Sequence, residues 1–159
     1  MKKILFVCTG NSCRSVMAEA LLNQWAASVP GRFQAGSAGI SAVDGFPASP
    51  ETIKVLKEEA GIDASKHRSR RLTQEMILNA DHIYVMESMH REWILGMAPM
   101  SAKKISLLTE YCSEDDYCKN RMDVPDPIRM SDNFYKNVFA VIRTCIERIG
   151  EQLIREDKP

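Results

Sequence analysis

The chain has 159 residues, 45% of them apolar and 26% charged, and a formal net charge of zero. That length and balance fit one globular domain with its own core, and the missing basic excess argues against a nucleic-acid partner. No apolar run approaches a membrane span, and "MKKILFV" passes into "CTGNS" without a secretory h-region. Five cysteines without an export signal read as reduced thiols, so a cytoplasmic, monomeric protein away from the membrane is expected.

Residues 2–7 form a short apolar run bounded by a Gly/Asn/Ser cluster, the pattern of a buried parallel strand. After Arg14 the period changes, and Ala18, Leu21, Leu22, Trp25 and Val29 recur at helical spacing until Pro30-Gly31. Residues 32–40, "RFQAGSAGI", read as a second strand. Ser49 then caps a helix that carries Pro50 at its first position and stops at Gly61. Thr73 can cap a short helix through Asn79, "HIYVM" is a third strand, and a Ser88-capped helix runs to about Gly96. "KKISLL" is a fourth strand. From Thr109 to Met130 there is no periodicity, and two prolines and many acidic residues mark a long loop of the kind that often carries function. Phe134, Val138, Ile142, Cys145, Ile149 and Leu153 line one face of a long last helix. Four strands alternating with helices imply a single α/β domain over residues 1–159. The expected fold is a doubly wound, four-stranded parallel sheet with helices on both faces, and the expected strand order is 2-1-3-4.

In such a sheet ligands bind beyond the carboxyl ends of the strands, where "CTGNSCRS", residues 8–15, joins the first strand to the first helix. A zinc site lacks its second cluster, since Cys112 and Cys118 stand alone, and no metal or cofactor is expected. A Walker-type loop would need a lysine where the chain has Cys13-Arg14. An anion cradle with its own nucleophile fits best. The N–H groups of Thr9, Gly10, Asn11, Ser12, Cys13 and Arg14 can curl around an anion, and the following helix aims its positive end at the same point. Gly10 and Asn11 tolerate the left-handed angles of the curl, Arg14 offers a planar fork to two oxygens, and the positive field favours Cys8 as the nucleophilic thiolate.

C-x-x-x-x-x-R followed by serine at residues 8–15 resembles the low-molecular-weight protein tyrosine phosphatase family. "AGSAGI", "GFPASP", "KHRSRRLT", "YVMESMH" and "VPDPI" follow in the family's order. The resemblance implies that Cys8 attacks phosphorus while Arg14 and the loop amides hold the equatorial oxygens. Asp126 is then the general acid, and later the base that activates water against the phosphocysteine. Ser15 stabilises the departing thiolate, and Asn11, Ser37 and His67 form the network that supports the loop. Cys13 matches a second loop cysteine able to form a disulfide with Cys8 on oxidation. The implied partner is a phosphorylated protein, and the loop would also hold phosphate or similar oxyanions. Asp123 lacks the proline that follows Asp126 and reads as solvated. Cys112, Cys118 and Cys145 read as structural or incidental.

The pocket wall departs from the eukaryotic, tyrosine-specific pattern. Ile128 stands where an aromatic ring is usual, and the loop near Ala42 lacks a second ring. Thr9 and Ser12 add hydroxyls, so the loop also resembles the bacterial protein arginine phosphatase branch, which has threonine at the Ser12 position. Phosphotyrosine is the expected substrate and phosphoarginine the alternative. A thioredoxin-coupled arsenate reductase on the same fold would need two cysteines beyond the third strand, where "MESMHREWI" has none.

Overall fold

Strand β1 (Lys2–Cys8) is buried on both faces, which is why its sequence is apolar without alternation. Ile4, Phe6 and Cys8 enter one core, and Leu5 and Val7 enter the other. The computed structural model describes residues 1–112 and 123–157. In it β1 pairs in parallel with β2 (Phe33–Gly39) on one side and β3 (His82–Val85) on the other. β4 (Ile105–Leu107) pairs with β3, which gives the order β2-β1-β3-β4. The doubly wound parallel sheet expected from the sequence is present.

Helices cover both faces. α1 (Arg14–Ala26), α2 (Pro50–Ala60) and α5 (Asp132–Glu156) bury their apolar stripes with Ile4, Phe6 and Tyr84. α3 (Gln74–Asn79) and α4 (Ser88–Met97) contribute Ile77 and Ile94 to the second core with Leu5, Val7 and Ile83. None of the described helices is long and apolar enough to cross a membrane.

Most sequence punctuation acts as expected. The Ser49 hydroxyl accepts the Thr52 N–H at 3.2 Å, Pro50 opens α2, and Gly61 closes it in a left-handed conformation. Thr73 likewise caps α3, and Ser131, which the sequence reading did not single out, caps α5. Three boundaries differ. α1 ends at Ala26, and Val29 lies in the turn beyond, its N–H bonded to the Ala26 carbonyl at 3.0 Å. The fourth strand is only three residues, because Pro99–Lys104 and Leu108–Tyr111 on either side take 3-10 turns. The cap of α4 is Glu87 rather than Ser88, as described below.

Candidate active site

The loop after β1 is built around Cys8, which is 2% exposed. The Asn11 N–H donates to Cys8 Sγ at 3.2 Å, and Ser15 Oγ lies 3.0 Å away from the same sulfur. A thiolate only accepts, so in that state the Ser15 hydroxyl donates to it. The curl depends on Asn11, whose φ of 52° is left-handed; Gly10 does not share that conformation. The glycine the curl requires is Gly39 at the end of β2. A Cβ there would lie 2.6 Å from the Thr9 carbonyl and 2.8 Å from the Asn11 nitrogen.

Asn11 is held on every side. Its Nδ2 donates to Ser15 Oγ at 2.9 Å and to Ser37 Oγ at 2.8 Å, and its Oδ1 accepts the Arg70 N–H at 2.8 Å. Ser37 passes its own proton toward Glu19. His67 Nε2 lies 2.9 Å from the Asn11 carbonyl, which can only accept, so that nitrogen carries the hydrogen. Asn11 therefore brings Ser37 and His67 together, with Arg70 and Glu19 added. Burying a left-handed residue with every amide atom bonded is how a strained loop keeps one shape.

Arg14 opens α1 and is 1% exposed. Its Nη1 donates to the Val124 carbonyl at 2.7 Å and pairs with Glu87, while Nη2 lies 3.3 Å from Asp126 Oδ2. The N-terminus of α1 has no side-chain cap and no acidic residue in its first turn, so its dipole faces the loop uncompensated. Asp126 is partly exposed, and its Oδ1 accepts the Ile128 N–H at 3.1 Å. One small volume thus contains a nucleophile, a guanidinium fork, an open helix end and a carboxylic acid. That set serves phosphoryl transfer by in-line attack. A surface groove of about 780 Å³ passes Lys3, Glu19 and Arg70 and includes neither Cys8 nor Arg14.

The whole-chain pattern agrees with the site. The model of the family described as low molecular weight phosphotyrosine protein phosphatase matches residues 3–158. The chain belongs to this family. It is 38% identical over 154 residues to the protein-arginine-phosphatase of Geobacillus stearothermophilus, covering 97% of each chain. It is 33% identical over 149 residues to the low molecular weight protein-tyrosine-phosphatase Wzb of Escherichia coli, covering 94% of this chain and 90% of the other. The solved low molecular weight protein tyrosine phosphatase of T. tengcongensis superposes with a TM-score of 0.86 at 36% identity, over 96% of this chain and 99% of that one.

Sequence reasoning missed the support that this phosphatase-family chain draws from the carboxyl end of β3. Glu87 is the N-cap of α4, and its capping box is closed by His90, whose Nδ1 accepts the Glu87 N–H at 3.1 Å. An accepting Nδ1 places the hydrogen on Nε2, which donates to Thr9 Oγ1 at 2.9 Å. Burial pushes His90 down to about 4, outweighing Glu87, so the ring is neutral at pH 7. One helix end therefore holds Arg14 through Glu87 and Thr9 through His90. Glu-x-x-His at capping-box spacing after a strand was the available signal.

Asp123 is not simply solvated: its Oδ1 accepts the N–H of Ser88 at 2.7 Å and the Ser88 hydroxyl at 3.1 Å. With the Val124 N–H bonded to the Met86 carbonyl at 2.8 Å, it fixes the chain leading to Asp126 against β3. Cys13 Sγ lies 3.5 Å from Tyr135 Oη and 3.4 Å from Ser49 Oγ. Burial holds the Tyr135 phenol well above its usual range, so it stays neutral beside that thiol. Ser12 Oγ has a weak contact with Cys13 Sγ at 3.6 Å. Ile128 is half exposed beside Asp126. Ala42 is buried, but the same loop exposes a ring four residues on, at Phe46. Cys118 lies outside the described residues.

Proposed function

We propose that this chain is a protein tyrosine phosphatase that hydrolyses phosphotyrosine through a phosphocysteine on Cys8. The observation that carries this reading is the position of Cys8 Sγ, bonded by the Asn11 N–H and Ser15 at the foot of the loop that also carries Arg14. In the first step Cys8 attacks phosphorus and the ester oxygen leaves. Arg14 and the loop N–H groups of Thr9, Gly10, Asn11, Ser12 and Cys13 hold the three equatorial oxygens. Arg14 is shared between Glu87 and Asp126, and an arriving phosphoryl dianion competes with Asp126 for Nη2. Asp126 then gives its proton to the leaving oxygen. In the second step Asp126 takes a proton from water, the hydroxide attacks phosphorus, and Ser15 stabilises the thiolate that leaves. Arg14 and the helix end supply the positive charge for both steps, with no metal or cofactor required. Cys13 serves as a redox guard: when a peroxide oxidises Cys8 to a sulfenic acid, Cys13 leaves Tyr135 and Ser49, attacks the Cys8 sulfur and releases water as the disulfide forms.

Phe46 and Ile128 are exposed on loops that reach the cradle, one through the Ser49 N–H bonded to the Ser12 carbonyl and one through Asp126 beside Arg14, and they support an aromatic ester as substrate. The phosphoarginine reading has its own support. The Geobacillus protein-arginine-phosphatase is among the most similar relatives, and Thr9 and Ser12 line the loop with hydroxyls. Turnover on paired phosphotyrosine and phosphoarginine peptides of one sequence tests the choice. We expect kcat/KM at least about tenfold higher for phosphotyrosine, a difference of roughly 1.4 kcal/mol in transition-state stabilisation. A tenfold preference for phosphoarginine overturns it.

A further inference from the structure

Away from the phosphate loop, Cys112 Sγ and Cys145 Sγ lie 3.4 Å apart. The sulfurs are already in contact, whereas Cys13 Sγ is engaged with Tyr135 and Ser49. The two thiols differ in shelter: Cys145 is fully buried on the inner face of α5, and Cys112 is partly exposed at the end of the 3-10 turn Leu108–Tyr111. The backbone around Cys112 is held in place. Its N–H donates to the Thr109 carbonyl at 3.2 Å, and Arg148, one turn beyond Cys145 on α5, donates to the Cys112 carbonyl at 2.7 Å. Tyr111 packs edge-on against Tyr84 with ring centroids 5.4 Å apart. Closing the bond between the two sulfurs shortens their 3.4 Å separation to about 2.05 Å.

We propose that Cys112 and Cys145 are a second oxidisable thiol pair, separate from Cys8 and Cys13, which a peroxide converts to a disulfide. Cys112, the more accessible sulfur, attacks one peroxide oxygen as its thiolate. The O–O bond breaks, and the departing hydroxide takes up a proton as water, leaving a sulfenic acid on Cys112. Cys145 then attacks the Cys112 sulfur, the S–S bond forms, and the S–OH bond breaks. That hydroxide leaves as water with the Cys145 proton, so two thiols and one hydrogen peroxide give one disulfide and two waters. The ring so closed spans residues 112–145 and contains Asp123 and Asp126. Oxidation therefore ties the start of the chain that leads to the acid onto α5, the helix that follows it.

The test uses the full chain carrying Cys8→Ser, which removes the phosphate-loop nucleophile from the readout and keeps the outcome independent of the phosphatase reading. Hydrogen peroxide at low molar excess, then tryptic mapping without reductant, should join the peptide of residues 105–119 to that of 144–148. The joined mass should be two hydrogens below the sum and should separate with phosphine. Adding Cys118→Ser should leave the cross-link intact, and adding Cys112→Ser or Cys145→Ala should abolish it. The cross-linked chain should melt roughly 5 °C or more higher than its reduced form. Cys145→Ala leaves a small cavity, so Cys112→Ser, at the partly exposed site, is the variant that separates cross-linking from folding. A link that persists in Cys112→Ser, a link between Cys112 and Cys118, or no link at all overturns the proposal.

Discussion

Glu87 and Arg14 form an ion pair in which the guanidinium is almost entirely buried. The pair joins the cap of α4 to the first residue of α1, so Arg14 is oriented by a carboxylate from another strand end. Removing one partner of such a pair leaves a buried charge poorly compensated. Glu87→Ala should lower kcat about 10- to 100-fold through misorientation of Arg14, with inhibition by inorganic phosphate changing less than tenfold. Steady-state kinetics with phosphate as competitor check this. An unchanged kcat would mean that Val124 and Asp126 alone position Arg14.

Asp126→Ala should slow hydrolysis of a phosphotyrosine peptide about 10²- to 10⁴-fold. The effect on p-nitrophenyl phosphate, whose leaving group needs no proton, should be at least about tenfold smaller in the step that releases it. Burst kinetics on both substrates separate the steps, and equal losses would remove Asp126 as the acid.

His90 links folding to pH. Burial holds it at about 4 in the folded chain, against 6.5 for the free side chain. The unfolded chain takes up the proton first as pH falls. Stability is therefore fully present above pH 6.5 and lost progressively down to about 4, by up to about 3 kcal/mol. His82, lowered by burial with Lys2 nearby despite Glu156, acts in the same sense, so the measurement is a difference. Denaturation midpoints of wild type and His90→Gln at pH 7 and 4.5 should show a smaller acid loss in the variant, whose amide can still donate to Thr9. Equal slopes would contradict a neutral, buried His90.

Gly39→Ala should destabilise the fold by about 1–3 kcal/mol and impair turnover, because its methyl would meet the Thr9 carbonyl and the Asn11 nitrogen, both backbone atoms. Gly36→Ala, in the same strand, would bring its methyl against only the end of the Arg70 side chain at 3.2 Å and should cost less. Chemical denaturation of the two variants checks the ranking.

What the sequence disclosed was local in the chain. Cys8, Arg14 and Ser15 lie within eight residues whose spacing implies a cradle, and strands alternating with helices along the chain imply a parallel sheet. Asn11 was legible because asparagine tolerates the left-handed region, whereas Gly39 was not, since its role depends on how closely β2 approaches the loop. Glu87, His90 and Asp123 were hidden for the same reason. The ends of β1 and β3 become neighbours only when the sheet forms, and an acidic residue in a loop has the same letter whether it faces water or caps a helix.

The central claim is a covalent phosphocysteine on Cys8, and the direct measurement is acid quenching of Asp126→Ala during turnover of p-nitrophenyl phosphate, followed by mass mapping. In the proposed mechanism this variant lacks the base that clears the intermediate, so it should accumulate one phosphoryl group on the peptide containing Cys8, and the same experiment on Cys8→Ala should show none. Turnover with no phosphoryl group on Cys8, or with the group on any other residue, would contradict the mechanism.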